Sequence, residues 1–111
     1  WSPDGKRIVV SVRDNTTDGW CEVFTVEKNG LSRGRRISDQ IPLTVPGVSH
    51  WHAVALAWRD ADAIWIWVWC HGAGGAREGV FLVSANDGSV LKSFHEAIPS
   101  APQTGPSEGA R

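Results

Sequence analysis

The chain has little of what usually reveals a specific activity. Its 111 residues include no methionine, only two cysteines, and nearly equal numbers of acidic and basic residues, for a formal net charge of −1. This balance gives no electrostatic footprint for nucleic acid or an anionic membrane. The apolar run Ala63–Cys70 is far too short to span a bilayer. Because the sequence opens on tryptophan without a signal peptide, we expect a piece of a longer reading frame or a trimmed product, which leaves periplasm and cytoplasm both open.

The motifs of catalysis and metal binding are also missing. There is no G-x-S-x-G elbow, no HExxH, and no glycine-rich loop that leads into a helix. Cys21 and Cys70 fit no CxxC motif, so we interpret them as buried thiols, with a disulfide as the alternative in a secreted protein. His50 and His52 share a strand face and are weak metal candidates, but no motif fixes a third ligand. The sequence therefore predicts no catalytic residue, no cofactor and no firm metal site.

The most informative stretch is the N-terminal segment Trp1–Val12. Pro3-Asp4-Gly5 is turn chemistry, since proline presets φ, aspartate bonds its own backbone and glycine accepts positive φ. The β-branched run Ile8–Val12 that follows has no glycine or proline and predicts a strand. A tryptophan followed at once by this turn and strand is similar to the repeat of the WD40-like family of TolB-type β-propeller blades.

Strands and turns account for the remaining pattern, and no segment shows helical periodicity. We predict strands over residues 6–13, 20–27, 31–38, 50–58, 63–70, 80–85 and 90–94. The run 63–70 is apolar on both faces, with Trp65, Trp67 and Trp69 on one of them, which is typical of a central strand covered on both sides. Residues 72–79 are predicted to be a flexible loop. In the basic strand 31–38, we expect Arg33, Arg35 and Arg36 to be exposed.

An internal repeat relates the two halves of the chain. Trp1 aligns with Trp58, 57 residues later, and the run 8–12 aligns with 64–68 after a one-residue gap. The run 23–26 aligns with 80–83, again 57 residues apart. Each unit reads as the strands and turns of a four-stranded antiparallel meander, which describes a propeller blade. The resemblance extends over about residues 1–98.

The resemblance implies an all-β fold of antiparallel four-stranded blades, a partial β-propeller, with a small β-sandwich as the alternative. It divides the chain into a first blade (1–38) whose innermost strand is largely missing, a connection (39–49), a second blade (50–98) and a disordered tail or linker (99–111). Members of the family are largely bacterial and often periplasmic. The implied function is a non-catalytic protein-interaction module. The alternative is the propeller portion of a larger prolyl-oligopeptidase-like hydrolase whose catalytic domain lies outside this chain.

The expected partners are other proteins or the remaining blades of the same propeller. Trp65, Trp67 and Trp69 are the candidate interaction surface, since they are either filler between stacked blades or a platform for a partner. Two partial blades also leave an open edge and an uncovered apolar face, so we expect the isolated chain to self-associate. A third hypothesis is a metal or small-ligand site at the histidines.

Overall fold

Eight β-strands form the fold of the computed structural model, which describes residues 1–14 and 18–94. Sheet 1 contains β1 (Arg7–Arg13), β2 (Gly19–Glu27), β3 (Gly30–Leu31) and β4 (Arg35–Arg36). Sheet 2 contains β5 (Val48–Asp60), β6 (Ala63–Gly72), β7 (Gly75–Ser84) and β8 (Val90–Ser93). All strand pairs within the sheets are antiparallel, and the described residues form no helix and no closed barrel. The predicted all-β fold class is confirmed. The described chain has no helix of the length and apolarity needed to cross a membrane.

Sheet 2 is a simple meander with β6 at its centre. β6 pairs with β5 on one side and with β7 on the other, as the two-sided apolar run predicts. Ile64, Ile66 and Val68 are fully buried, whereas the tryptophans between them are only half-buried. β6 therefore presents an aliphatic face to the core and an aromatic face to the outside. The predicted central position of β6 is confirmed, but the expected cover on both faces is not found, since its aromatic face is only half-buried.

The predicted loop over residues 72–79 is wrong, because a tight hairpin takes its place. β6 and β7 stay paired as far as Gly72 and Gly75, and only Ala73 and Gly74 form the turn. A Cβ atom on Gly72 would lie 2.1 Å from the carbonyl oxygen of Gly47. The glycines therefore allow the hairpin backbone to pack closely against the preceding connection. They do not mark a flexible loop.

The predicted third strand, 31–38, is also wrong as a continuous element. Its two short pieces, β3 and β4, pair with β2 in registers that differ by one residue, so that Arg33 and Gly34 together lie opposite Phe24. This is the arrangement of a β-bulge. A Cβ on Gly34 would lie 2.6 Å from the Phe24 ring, which explains why the extra residue is glycine.

A third correction concerns β5, because regular alternation over the predicted strand 50–58 would place Trp58 on the same face as His50 and His52. The β5–β6 register shifts by one residue between Ala55 and Ala57. The bulge at Leu56 reverses the alternation beyond it, so Trp58 packs against the core.

The core lies between the two sheets. Its sheet 1 side contains Cys21 and Val23 of β2, and its sheet 2 side contains the even-numbered residues of β6 with Phe81 and Val83 of β7. The connection between the sheets also contributes, since four of its apolar side chains are buried: Ile37, Ile41, Leu43 and Val45. The predicted connection is thus part of the core. The predicted tail 99–111 and the end of the second unit, 95–98, lie outside the described residues.

Arg7 of β1 connects the two sheets directly. Its guanidinium donates hydrogen bonds to Asn86 Oδ1 at 2.8 Å, to Asp62 Oδ1 at 3.0 Å, and to the carbonyl oxygen of Ala61. It also lies over the Trp58 ring, 5.8 Å from the ring centroid. One cation therefore links sheet 1 to two turns of sheet 2.

Candidate functional site

The outer face of sheet 2 carries a row of three tryptophans. Trp65, Trp67 and Trp69 follow one another along β6, and all three are half-buried. Trp65 lies 5.7 Å from the ring of Phe94, and Trp67 Nε1 donates a hydrogen bond to Glu78 Oε1 at 3.0 Å. The exposed apolar residues Val54 and Leu56 come from β5. We call this surface, made up of the three tryptophans, Val54 and Phe94, the Trp face.

The candidate histidines lie at one end of the Trp face. The ring of His50 stacks on His71 with centroids 4.4 Å apart, and the ring of His52 stacks on Trp69 at 5.5 Å. The centroids of His50 and His52 are 6.4 Å apart. The stacked geometry makes these rings a continuation of the aromatic surface. Within residues 1–14 and 18–94, no group of three histidine, cysteine or carboxylate side chains is placed to hold a metal ion.

His52 differs from the other described histidines because it is buried. Its Nδ1 atom has no hydrogen-bond partner among the described residues. Burial lowers the pKa of His52 below its ordinary value of 6.5, and the positive charge of Arg13 lowers that pKa further. Both effects favour the neutral form of the imidazole in the folded chain.

A groove runs between β1 of sheet 1 and β5 of sheet 2. It consists of two hollows that meet at Ser11, whose hydroxyl oxygen accepts the N–H of Ala55 at 3.0 Å. The first hollow has a volume of about 400 Å³, and its walls include His52, Trp67, Trp69 and Arg13. The second has a volume of about 470 Å³, and its walls include Trp1, Leu56 and Trp58. We call the two hollows together the edge groove.

One edge of β1 pairs with β2, and the N–H and C=O groups of its other edge face this groove. The N–H of Val26 donates to the carbonyl of Lys6, and the N–H of Asp14 donates to the carbonyl of Asp18, so the even-numbered residues of β1 bond to β2. In an antiparallel ladder the odd-numbered residues then direct their N–H and C=O groups to the other edge. These residues are Arg7, Val9, Ser11 and Arg13.

Only the beginning of that edge is occupied. Ser2 donates its N–H to the carbonyl of Arg7 at 2.8 Å and accepts the Arg7 N–H on its hydroxyl at 3.0 Å. From Val9 onward, the outward backbone groups of β1 have no hydrogen-bond partner in the described part of the chain. The edge groove is therefore bordered by an open strand edge.

The remaining candidates have structural roles. Cys21 and Cys70 are both free and buried, and burial raises the pKa of the Cys21 thiol to about 11. Arg33, Arg35 and Arg36 are exposed, as predicted. Arg36 pairs with Asp39 at 3.0 Å and lies over the Trp20 ring, and Arg35 donates to the carbonyl of Asn86. Two of the three arginines thus hold neighbouring segments in place.

Comparison of the chain with protein-family models, with curated proteins and with solved structures found no significant match.

Sequence reasoning found the Trp face and expected an open strand edge, but it missed the groove beside that edge. The tryptophans are visible in the sequence because they alternate along one strand. The groove combines Ser11 and Arg13 with His52, residues that are distant in the sequence and unremarkable one by one. The available signal was the comparison of the two repeat units, since the first has no strand that corresponds to β5.

Proposed function

We propose that this chain is a non-catalytic protein-interaction module, built as two partial blades of a WD40-like, TolB-type β-propeller. The single observation that carries the proposal is the Trp face, an aromatic sheet surface whose residues are half-buried or exposed within the described part of the chain. Soluble monomers rarely expose contiguous apolar patches of more than a few hundred Å². Large aromatic side chains at such a patch favour contact with another protein surface, because each removes a large apolar area from water when buried.

The blade assignment is supported by the parallel organisation of the two sheets. In sheet 1, β1 pairs with β2, as β6 pairs with β7 in sheet 2, and the repeat aligns the same strands. The sheets pack face to face, as neighbouring blades do. In such a stack the Trp face would be the surface offered to the next blade or to a partner protein.

Self-association of the isolated chain tests the proposal. We expect the sedimentation coefficient to rise with concentration across the micromolar range, because the Trp face of one copy covers that of another. Phe94→Glu, which charges this face without opening the core, should shift the chain towards monomer. Leu31→Glu places the same charge on an exposed residue of sheet 1 and should leave association unchanged. A wild-type chain that stays monomeric throughout would contradict the proposal.

A further inference from the structure

The sequence repeat aligns β1 with β6, but only β6 has neighbours on both edges in the described residues. The repeat aligns Val9 and Ser11 with Trp65 and Trp67, and β5 pairs with both of these tryptophans. Among the described residues, sheet 1 has the corresponding edge but no strand paired with it. The outward N–H and C=O groups from Val9 to Arg13 recur along roughly 14 Å of backbone, enough for several ladder hydrogen bonds with an added strand.

The edge groove supplies walls for such a strand. The hollows lie along the open edge on either side of Ser11, and the lining of each includes apolar side chains, among them Trp67 in the first and Leu56 in the second. Each hollow is also lined by a residue whose buried ring nitrogen has no hydrogen-bond partner among the described residues, His52 (Nδ1) in one and Trp58 (Nε1) in the other. A backbone edge that offers donors and acceptors, beside apolar pockets for alternate side chains, is the arrangement by which sheets bind extended peptides.

Arg13 favours an acidic side chain in the added strand. It borders the first hollow and forms no ion pair with any described residue. A strand that runs antiparallel to β1 places its N-terminal half beside Arg13, so an acidic side chain there would meet the guanidinium.

We propose that the edge groove binds an extended strand of a partner polypeptide. This strand adds antiparallel to β1 and carries apolar side chains with an acidic residue opposite Arg13. The inference rests on the proposed interaction function and specifies the chemistry of the partner. The groove shares Trp67 and Trp69 with the Trp face, but Arg13 belongs only to the groove and Phe94 only to the Trp face, so variants of these two residues test the proposals separately.

A synthetic peptide provides the test, with the full chain as its receptor. The probe has the β5 sequence Val48–Ala57, the strand that occupies the equivalent place in sheet 2, and it carries the substitution H52D to meet Arg13. A fluorescent label reports binding by anisotropy. The sequence of β5 is suitable because its pairing with β6 already has the required geometry.

Backbone methylation of the peptide distinguishes binding through ladder hydrogen bonds from binding through apolar contacts alone. N-methylation at peptide positions 52 and 54 removes the donors that face β1 and should weaken binding roughly tenfold or more, since each ladder hydrogen bond contributes about 1 kcal/mol. N-methylation at positions 53 and 55 changes the donors that face away and is the matched control. An equal loss with both patterns would overturn the inference.

Charge reversal on the chain gives an independent readout. Arg13→Glu should weaken binding of the probe, whereas Arg33→Glu, at an exposed arginine far from the groove lining, should not. Equal effects of the two variants would overturn the inference. Phe94→Glu should leave peptide binding intact. If it abolishes binding while Arg13→Glu does not, the peptide sits on the Trp face, and the interaction function stands without the strand site.

Two other occupants are distinguished by the same assay. If removal of residues 95–111 strengthens binding, that segment competes for the groove, and a partner strand is not its natural occupant. If self-association is lost with Arg13→Glu but not with Phe94→Glu, a second copy occupies the edge. Either result would overturn the assignment to a partner polypeptide.

Discussion

Replacement of Arg7 by methionine should loosen the two sheets from each other. The side chain of Arg7 is 16% exposed, and it donates to Asn86, to the Ala61 carbonyl and to Asp62. Asp62 is 72% exposed, so its ion pair adds little in water. The other two hydrogen bonds contribute about 1 kcal/mol each. Methionine keeps an apolar stem over Trp58, so the loss should be about 2 kcal/mol of unfolding free energy.

Thermal and urea denaturation followed by circular dichroism measure this loss. A change of this size corresponds to a fall of roughly 10 °C in the thermal midpoint of a domain of this length. Arg33→Met is the matched control, because Arg33 is exposed and contacts neither turn of sheet 2. A double-mutant cycle with Asp62→Asn should give a coupling below about 1 kcal/mol. If Arg7→Met destabilises no more than Arg33→Met, then Arg7 does not join the sheets in solution.

Three further results are expected. Gly72→Ala should destabilise the fold by about 1–3 kcal/mol in urea, because the new methyl group meets the Gly47 carbonyl; an unchanged midpoint would contradict that close contact. The folded pKa of His52 lies below 6.5, so its contribution to stability is complete above that pH and is lost as the pH falls below it. His52→Phe keeps the ring over Trp69 and should flatten this pH dependence of the urea midpoint. Cys21, with its pKa raised to about 11, should resist alkylation until the chain unfolds, and labelling at the rate of a free thiol would refute its burial.

Local chemistry predicted the strands and turns that depend on few residues. The predicted turn at Pro3-Asp4-Gly5 contains a glycine with positive φ, 73° at Gly5. The faces of β6 could be assigned because alternation along one strand needs no knowledge of its neighbours. The placement of the Trp face followed from that alternation alone.

Features that depend on a second strand were not predictable in this way. The bulges at Leu56 and Arg33 are set by the pairing with β6 and β2, and neither residue is unusual for a strand. The glycines around residue 72 were interpreted as a loop because the segment that presses on them, Pro46-Gly47, lies far away in sequence. The edge groove likewise arises only when β1 and β5 come together.

The three register shifts within β5–β6 pairing have a consequence for how the sequence can vary in length. They concentrate in β5, near Ser49, Leu56 and Arg59, whereas β6 and β7 stay in one register from Ala63 to Gly72. A strand that already contains extra residues can lose or gain one by removing or adding a bulge. The same single-residue change inside β6 would exchange its aromatic and aliphatic faces, and would place tryptophans in a core built for isoleucine and valine. Natural insertions and deletions should therefore accumulate in β5 and be excluded from β6.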